Sequence, residues 1–393
     1  MEKTTLRSRP TAFWRDVRVL RVAGQVIFLA AIGGLLFWLG ANLRTNLAQS
    51  GLNISFRFLG DTAGFPISEG IAYAPTDVNA YAFLVGVVNT LRVALVGIVL
   101  ATVLGTLIGI ARLSRNWLIR KLATVYVETV RNIPLLVQLF FWYFAVMLTA
   151  LPLVGESIRL PGSIYLSRRG IYMPWPVAGT GLGTWAIYVV VAAAIGLAVY
   201  VVRRIYVRRS DRPGRSLSWA LLAFVVVAVG GWFLSPGAPF VLEIPVLERF
   251  NFEGGLWLST SFTALVIGLA TYTGAFIAEI VRAGIQAVSA GQAEAAQALG
   301  LRRGLALRLV ILPQALRVII PPLTSQYLNL TKNSSLAILI GYYDLLNVGT
   351  TIFNQTGRAV EMILLIMGSY LSMSLLTSLL MNWYNRRIKL VER

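Results

Sequence analysis

The stretch 289–313, SAGQAEAAQALGLRRGLALRLVILP, lies between two long apolar runs and shares the composition of neither. Ser289 is a good helix N-cap, and Gln292 three residues on completes a capping box. Ala290, Ala293, Ala295, Ala296 and Ala298 give high helix propensity with little bulk. Gly300 suits the left-handed position past a helix end, and Arg302, Arg303 and Arg308 crowd the turn that follows. The pattern predicts a short polar helix over about 289–300, outside the bilayer. Helices that rest on lipid headgroups carry bulky apolar residues along one face. This one carries alanines instead, which suit close docking in a groove of another protein. Pro313 marks the return of the chain into an apolar segment.

The composition around it is that of a membrane protein. Of 393 residues, 57% are hydrophobic and 13% charged, with a mean hydropathy of +0.72; soluble domains run near 25% charged. Cysteine and histidine are both absent, which leaves no disulfide, thiol chemistry, His-ligated metal or Ser-His-Asp triad. No phosphate-loop motif occurs, so a nucleotide used in active work would be handled by another chain. GTGLGT at 179–184 is expected to follow no strand and misses the dinucleotide spacing, so it reads as a flexible loop rather than a cofactor site.

Apolar runs give eight expected spans at roughly 22–42, 84–111, 122–150, 184–202, 217–234, 258–281, 314–332 and 360–383. The first follows a basic N-region but is longer than a signal core and lacks a small-x-small cleavage site, so it is read as a retained helix. With the N-terminus on the cytoplasmic side, 25 of the 35 Lys and Arg residues fall on that side. Eight fall opposite, where eight acids match them, and two (Arg92 and Arg131) lie within spans. The net charge of +19 is therefore a positive-inside signature, not a nucleic-acid surface. Both termini fall inside, as an even span number requires.

Four regions follow. Residues 1–80 hold a cytoplasmic segment, one extra transmembrane helix and a periplasmic loop. Residues 81–150 hold two helices joined by the basic turn RLSRNWLIRK. Residues 151–257 are an insertion of two plain apolar helices between Pro/Gly-rich loops, and 258–393 carry the polar helix and the last spans. Costly polar residues cluster outside the insertion. In the third span Glu128, Arg131 and Asn132 share a helix face, with Gln138 further on. In the sixth, Thr271, Ala275 and Glu279 recur every four residues, with Arg282 three beyond. Two readings stand for these charges: structural ion pairs near the cytoplasmic ends of the helices, or a direct place along a translocation pathway. Small residues form stripes for close helix packing at Gly97, Ala101, Gly105 and Gly109, and at Ala270, Gly274 and Ala278.

Glu294-Ala295-Ala296, three residues, Gly300, nine residues, Val310, one residue, Leu312-Pro313 resembles the EAA loop of bacterial ATP-binding-cassette importer permeases. Val310 stands where that family usually has isoleucine. AFIAEIVRAGIQAVSAGQAEAAQALGL, LRLVILPQALRVIIPPL and LTKNSSLA resemble its polar amino-acid branch, and so do NTLRVALVGIVLATVLGTLIGIARLSRN and YVETVRNIPLLVQLFFWYF. Asn333-Ser334 replaces the more usual Asp-Thr. The resemblance covers 81–150 and 258–390, about half the chain. It implies an all-α polytopic fold of about eight transmembrane helices, a five-helix permease core plus one N-terminal helix and an inserted helical pair. That layout is similar to the longer subunits of general L-amino-acid uptake systems.

The resemblance also implies partners and roles. The chain would sit multi-pass in the bacterial inner membrane with both termini cytoplasmic, bind no cofactor itself, and pair with a second permease subunit that is a different homologous chain. A cytoplasmic ATPase homodimer, which uses the ATP, would dock on the 289–300 helix, and a periplasmic amino-acid-binding protein would deliver an L-amino acid. Glu294, Ala295, Ala296, Gly300, Leu312 and Pro313 would couple to the ATPase. Glu128, Arg131, Thr271, Tyr272, Glu279, Arg282 and Asn329 are candidates for the pathway, with Arg92 nearer the periplasmic end, because a zwitterion needs donors for its carboxylate and acceptors for its ammonium. Against this stand two other classes: an ATPase-independent channel or scaffold subunit, and a membrane enzyme working through carboxylates. The 289–313 stretch separates them.

Overall fold

A computed structural model describes residues 17–49, 54–210 and 215–388. The basic N-terminal segment 1–16, the middle of the basic loop at 211–214 and the last five residues, part of the positive-inside pattern, lie outside the described residues. The fold is overwhelmingly helical. In chain order it has α1 (Val17–Gln49), α2 (Asn79–Ala111), α3 (Trp117–Asn132), α4 (Leu135–Phe140, continued by a wide π-helical segment Phe141–Ala150), α5 (Leu182–Ser210) and α6 (Ser216–Leu234). Then come α7 (Thr260–Gln286), α8 (Ala290–Ala298), α9 (Arg303–Ala306), α10 (Leu312–Asn333), α11 (Leu345–Thr356) and α12 (Ala359–Ile388). Among the described residues seven helices are long and apolar enough to cross a membrane, and eight if the broken pair α3–α4 counts as one span.

That break corrects the expected continuous third span. At Ile133–Pro134 the chain bends by 106°. Pro134 has no N–H to donate and its ring pushes the preceding residue out of the helical region; Ile133 lies at φ −96°, ψ 129°. Gln138 repairs the opening, its amide donating to the carbonyls of Val130 (2.8 Å) and Ile133 (2.9 Å). Glu128, Arg131 and Asn132 therefore sit on one helix, and Gln138 on another.

The centre is the α2–α7 contact, where the small-residue stripes meet. Gly97, Ala101, Gly105 and Gly109 are all buried. A Cβ on Gly105 would lie 2.7 Å from the Gly274 carbonyl oxygen, and one on Gly109 would lie 2.7 Å from that of Ala278. Only glycine lets these backbones approach so closely, and such packing replaces the hydrophobic drive that lipid does not supply. Around this seam Leu135, Leu139, Leu265, Leu269, Ile319 and Leu330 form one apolar core. A second apolar cluster ties the segment after α1 to α2, α11 and α12 through Phe58, Phe65, Val85, Ile352 and Met362. There the backbone N–H of Ser55 reaches the buried Glu361 carboxylate at 3.1 Å.

The insertion holds more than two helices and loops. β1 (Ile158–Leu160), β2 (Ile164–Ser167) and β3 (Gly170–Met173) form an antiparallel sheet closed by β8 (Leu256–Ser259). β4 (Trp175–Ala178) pairs with β5 (Phe240–Glu243), and β6 (Val246–Glu248) with β7 (Asn251–Glu253). These strands of three or four residues are too short for a clear alternation, which explains why they read as loops. Gly170 pairs with Ser259, whose hydroxyl then caps α7 by accepting from Phe262 N–H at 3.0 Å. The sheet so delivers the chain directly into the central helix. α5 and α6 pack on each other, clasped at their base by β4–β5.

Candidate coupling and translocation site

α8 forms where the alanines predict it. Ser289 has the extended backbone of an N-cap, but its hydroxyl makes no capping hydrogen bond, so the expected capping box does not close. Gln292 instead faces the next membrane helix, where the Gln314 amide donates to its Oε1 at 3.1 Å. At the other end Gly300 has φ +73°. Gly300 N–H bonds the Gln297 carbonyl at 2.9 Å and Leu301 N–H the Ala296 carbonyl at 3.1 Å. This is the two-bond left-handed cap that satisfies a helix's last carbonyls.

One face of α8 is held and the other is open. Ala296 is buried, whereas Glu294, Ala295, Gln297 and Ala298 are exposed and Leu299 is 81% exposed. The chain then passes through α9 and a π-helical turn, Leu307–Ile311, into α10. Leu312 and Pro313 begin α10 directly after the π-helical turn, so the missing N–H of Pro313 falls where one continuous helical run changes its hydrogen-bond pattern. Further along, Pro321 and Pro322 lie inside α10, so the carbonyls of Arg317 and Val318 lose their helical donors. Nε and Nη2 of Arg317 are also buried without a hydrogen-bond partner among the described residues.

Of the pathway candidates, Glu128, Glu279 and Arg282 join one charged group and Thr271 an apolar cavity wall. Arg112, one residue past α2, holds the charged group together. It pairs with Glu279 of α7 in close contact and with Glu128 of α3 at 3.5 Å. Glu279 also accepts from Arg282, whose Nη1 reaches Gln286 Oε1 at 2.6 Å. Three helices are thus joined by one chain of charges, and the arrangement accounts for Glu128, Glu279 and Arg282 as ion-pair partners. Arg112 was not among the sequence candidates, although its signal was present. It lies three residues beyond Gly109, hence on the stripe that faces α7.

Thr271 lies at the helix break. A cavity of about 480 Å³ is walled by Tyr126, Val130, Ile133, Val137, Gln138, Phe141, Trp142 and Thr271. The Thr271 hydroxyl turns back on its own helix, to the Ile267 carbonyl at 2.8 Å, and its carbonyl accepts from Tyr126 at 2.7 Å. Tyr272 packs on Phe276 at 5.0 Å, and the Arg131 guanidinium lies 5.0 Å from the centre of that same ring. Arg131 is thus a cation over an aromatic face, apart from the Glu128–Arg112 pair. Arg92 lies over Phe262 at 5.6 Å, and Asn329 is exposed on α10. Neither joins the charged cluster or the cavity wall. Among the described residues no group of His, Cys, Asp and Glu could hold a metal ion.

Residues 212–390 match the family described as binding-protein-dependent transport system inner membrane component. The general L-amino acid transport system permease protein AapQ of Rhizobium johnstonii is 47% identical over 387 residues, 96% of this chain and 94% of the relative. The putative amino-acid ABC transporter permease protein YhdX of Escherichia coli is 46% identical, with 94% of each chain covered. The glutamate/glutamine/aspartate/asparagine transport system permease protein BztB of Rhodobacter capsulatus is 42% identical, with 96% of each covered. Identity of this order over nearly the whole chain means that it belongs to the family of binding-protein-dependent transport system inner-membrane permeases.

Proposed function

We propose that this chain is a translocating subunit of an ATP-driven importer of L-amino acids, in a bacterial inner membrane with both termini cytoplasmic. The observation that carries the reading is α8. It is a nine-residue helix closed by a left-handed turn, with one face anchored through Gln314 and Ala296 and the other open. An ATPase gripping Glu294, Ala295 and the exposed Leu299 would pull on both chain connections at once. One leads back into α7, which carries Glu279 and Arg282; the other leads through Leu312 and Pro313 into α10. Motion of the ATPase pair would so reach the α2–α7 seam and the charged cluster, and rock the bundle around a central path.

ATP chemistry belongs to the partner in this reading, and a periplasmic binding protein and a second, non-identical permease complete the assembly. The apolar cavity beside Thr271 would receive a substrate side chain, and Arg131 and Asn329 remain proposed contacts along the path. The test is Glu294→Lys. The variant should insert and fold normally yet lose the co-purifying ATPase, with uptake into reconstituted vesicles falling in parallel. A full complement of ATPase on the folded variant would sink the docking role of α8.

A further inference from the structure

The α5–α6 hairpin plays no part in the site just described, and it carries a groove of its own. The groove has a volume of about 400 Å³ and runs between Ala193, Gly196, Leu197 and Tyr200 on α5 and Leu217, Ala220, Leu221 and Phe224 on α6. Its floor is the close approach of the two helices: a Cβ on Gly196 would stand 3.2 Å from the Ala220 carbonyl. Its walls are apolar apart from Tyr200, and several stand well exposed.

Charge gathers at one end only. Residues 203–215 contain six arginines against Asp211 alone. Arg204 Nη1 lies 3.4 Å from the hydroxyl of the wall residue Tyr200. Arg203 stacks at 4.9 Å over Trp219, next to Ala220 of the floor. Two guanidinium groups thus lie against aromatic side chains that wall or adjoin one end of an apolar slot. We infer that an anionic phospholipid occupies this groove, one acyl chain lying between α5 and α6 and the headgroup phosphate on Arg203 and Arg204. An apolar partner helix would fill the slot without using the arginines, whereas arginine forks match phosphate oxygens.

The test is native mass spectrometry on the full chain in mild detergent, titrated with phosphatidylglycerol or with phosphatidylcholine of the same acyl chains. One phosphatidylglycerol per chain should survive desolvation, in preference to phosphatidylcholine. Arg203→Ala with Arg204→Ala should weaken it about 30-fold, taking the usual contribution of each basic residue near an anionic headgroup. Ala193→Trp, which fills the groove and leaves the arginines, should weaken both lipids. Arg386→Ala with Arg387→Ala, a basic pair on α12, should change nothing. Equal loss in that control would mean diffuse attraction, and an unaffected Ala193→Trp would mean that no chain enters the groove. Either result overturns the assignment, and so would cross-linking of a Leu197→Cys variant to a neighbouring subunit, which would show a protein covering the groove.

Discussion

The sharpest prediction concerns Gly300. The residue holds φ +73°, and a Cβ built on it would meet nothing within 4 Å. Any effect of substitution is therefore backbone strain and not a clash. A left-handed conformation disfavours an ordinary L-residue by about 1–2 kcal/mol, and more for a β-branched one, whereas asparagine tolerates it. The two bonds of the turn, Gly300 to Gln297 and Leu301 to Ala296, contribute about 1 kcal/mol each. A nine-residue helix has little stability of its own to resist fraying. Gly300→Ala should therefore lower ATPase affinity about 10-fold and Gly300→Val further, since about 1.4 kcal/mol is a factor of ten. Gly300→Asn should stay close to wild type. The measurement is ATPase binding to the permease in nanodiscs, beside permease-stimulated ATP hydrolysis. If valine binds as well as glycine, the turn does not position α8; if asparagine fails as badly as valine, the backbone account is wrong.

Four further outcomes can be checked. Glu279→Gln should destabilise the folded protein by about 1.5–3 kcal/mol, because it weakens charged hydrogen bonds to both Arg112 and Arg282; Glu128→Gln, whose own side chain is mostly exposed and reaches the buried Arg112 only at 3.5 Å, should change stability by less than about 1 kcal/mol. If the two variants melt alike in one detergent, the cluster does not centre on Glu279. Gly105→Ala should force Ile277 and the Gly274 carbonyl away, destabilising the α2–α7 seam by about 1–3 kcal/mol, whereas Gly33→Ala on α1 should be silent in the same thermal assay; equal melting would remove the seam from the stability argument. Excising 182–236 and bridging the β4–β5 clasp should leave the core foldable, since Gly181 N–H already reaches the Ala238 carbonyl at 3.4 Å; failure of the shortened chain to insert would show that the hairpin is part of the core. Burial pushes the Asp344 carboxyl from 3.8 up to about 7, so the folded state holds its proton more tightly than the unfolded one, and the stabilisation is fully present below pH 4 and lost as pH rises through about 7. Asp344→Asn should flatten that part of the stability–pH curve, and an unchanged slope would exclude this carboxyl as its source.

What the sequence reveals follows from the physical length scale of each feature. Long apolar runs, the glycine stripe and the α8 cassette are written in neighbouring residues, and each has a counterpart in the fold. The break at Pro134 is also written there, but a 29-residue run, apolar on average and holding one proline, reads as one span because hydropathy averages over the kink. The strands escaped for the opposite reason: with three or four residues each, they depend on pairing such as Gly170 with Ser259, which lies 89 positions away. The role of Arg112 depends on Glu128 and Glu279, brought to it from two other helices. Seen alone, it was one more basic residue in a loop count. The exposure of α8 on one side and its tie to Gln314 on the other are likewise products of packing, invisible in a list of alanines.

The placement of α1 has a consequence for how this protein can be studied. None of the described residues of α1 is buried within the chain, and α5 and α6 find their main partner in each other. Cooperativity requires shared contacts. A melting curve would therefore register the collapse of the α2–α7 seam and its neighbours while α1 and the hairpin persisted as separate helices in the detergent micelle. A single transition temperature measured for this chain describes its interior alone, and a variant in the outer helices can look thermally normal while being locally undone.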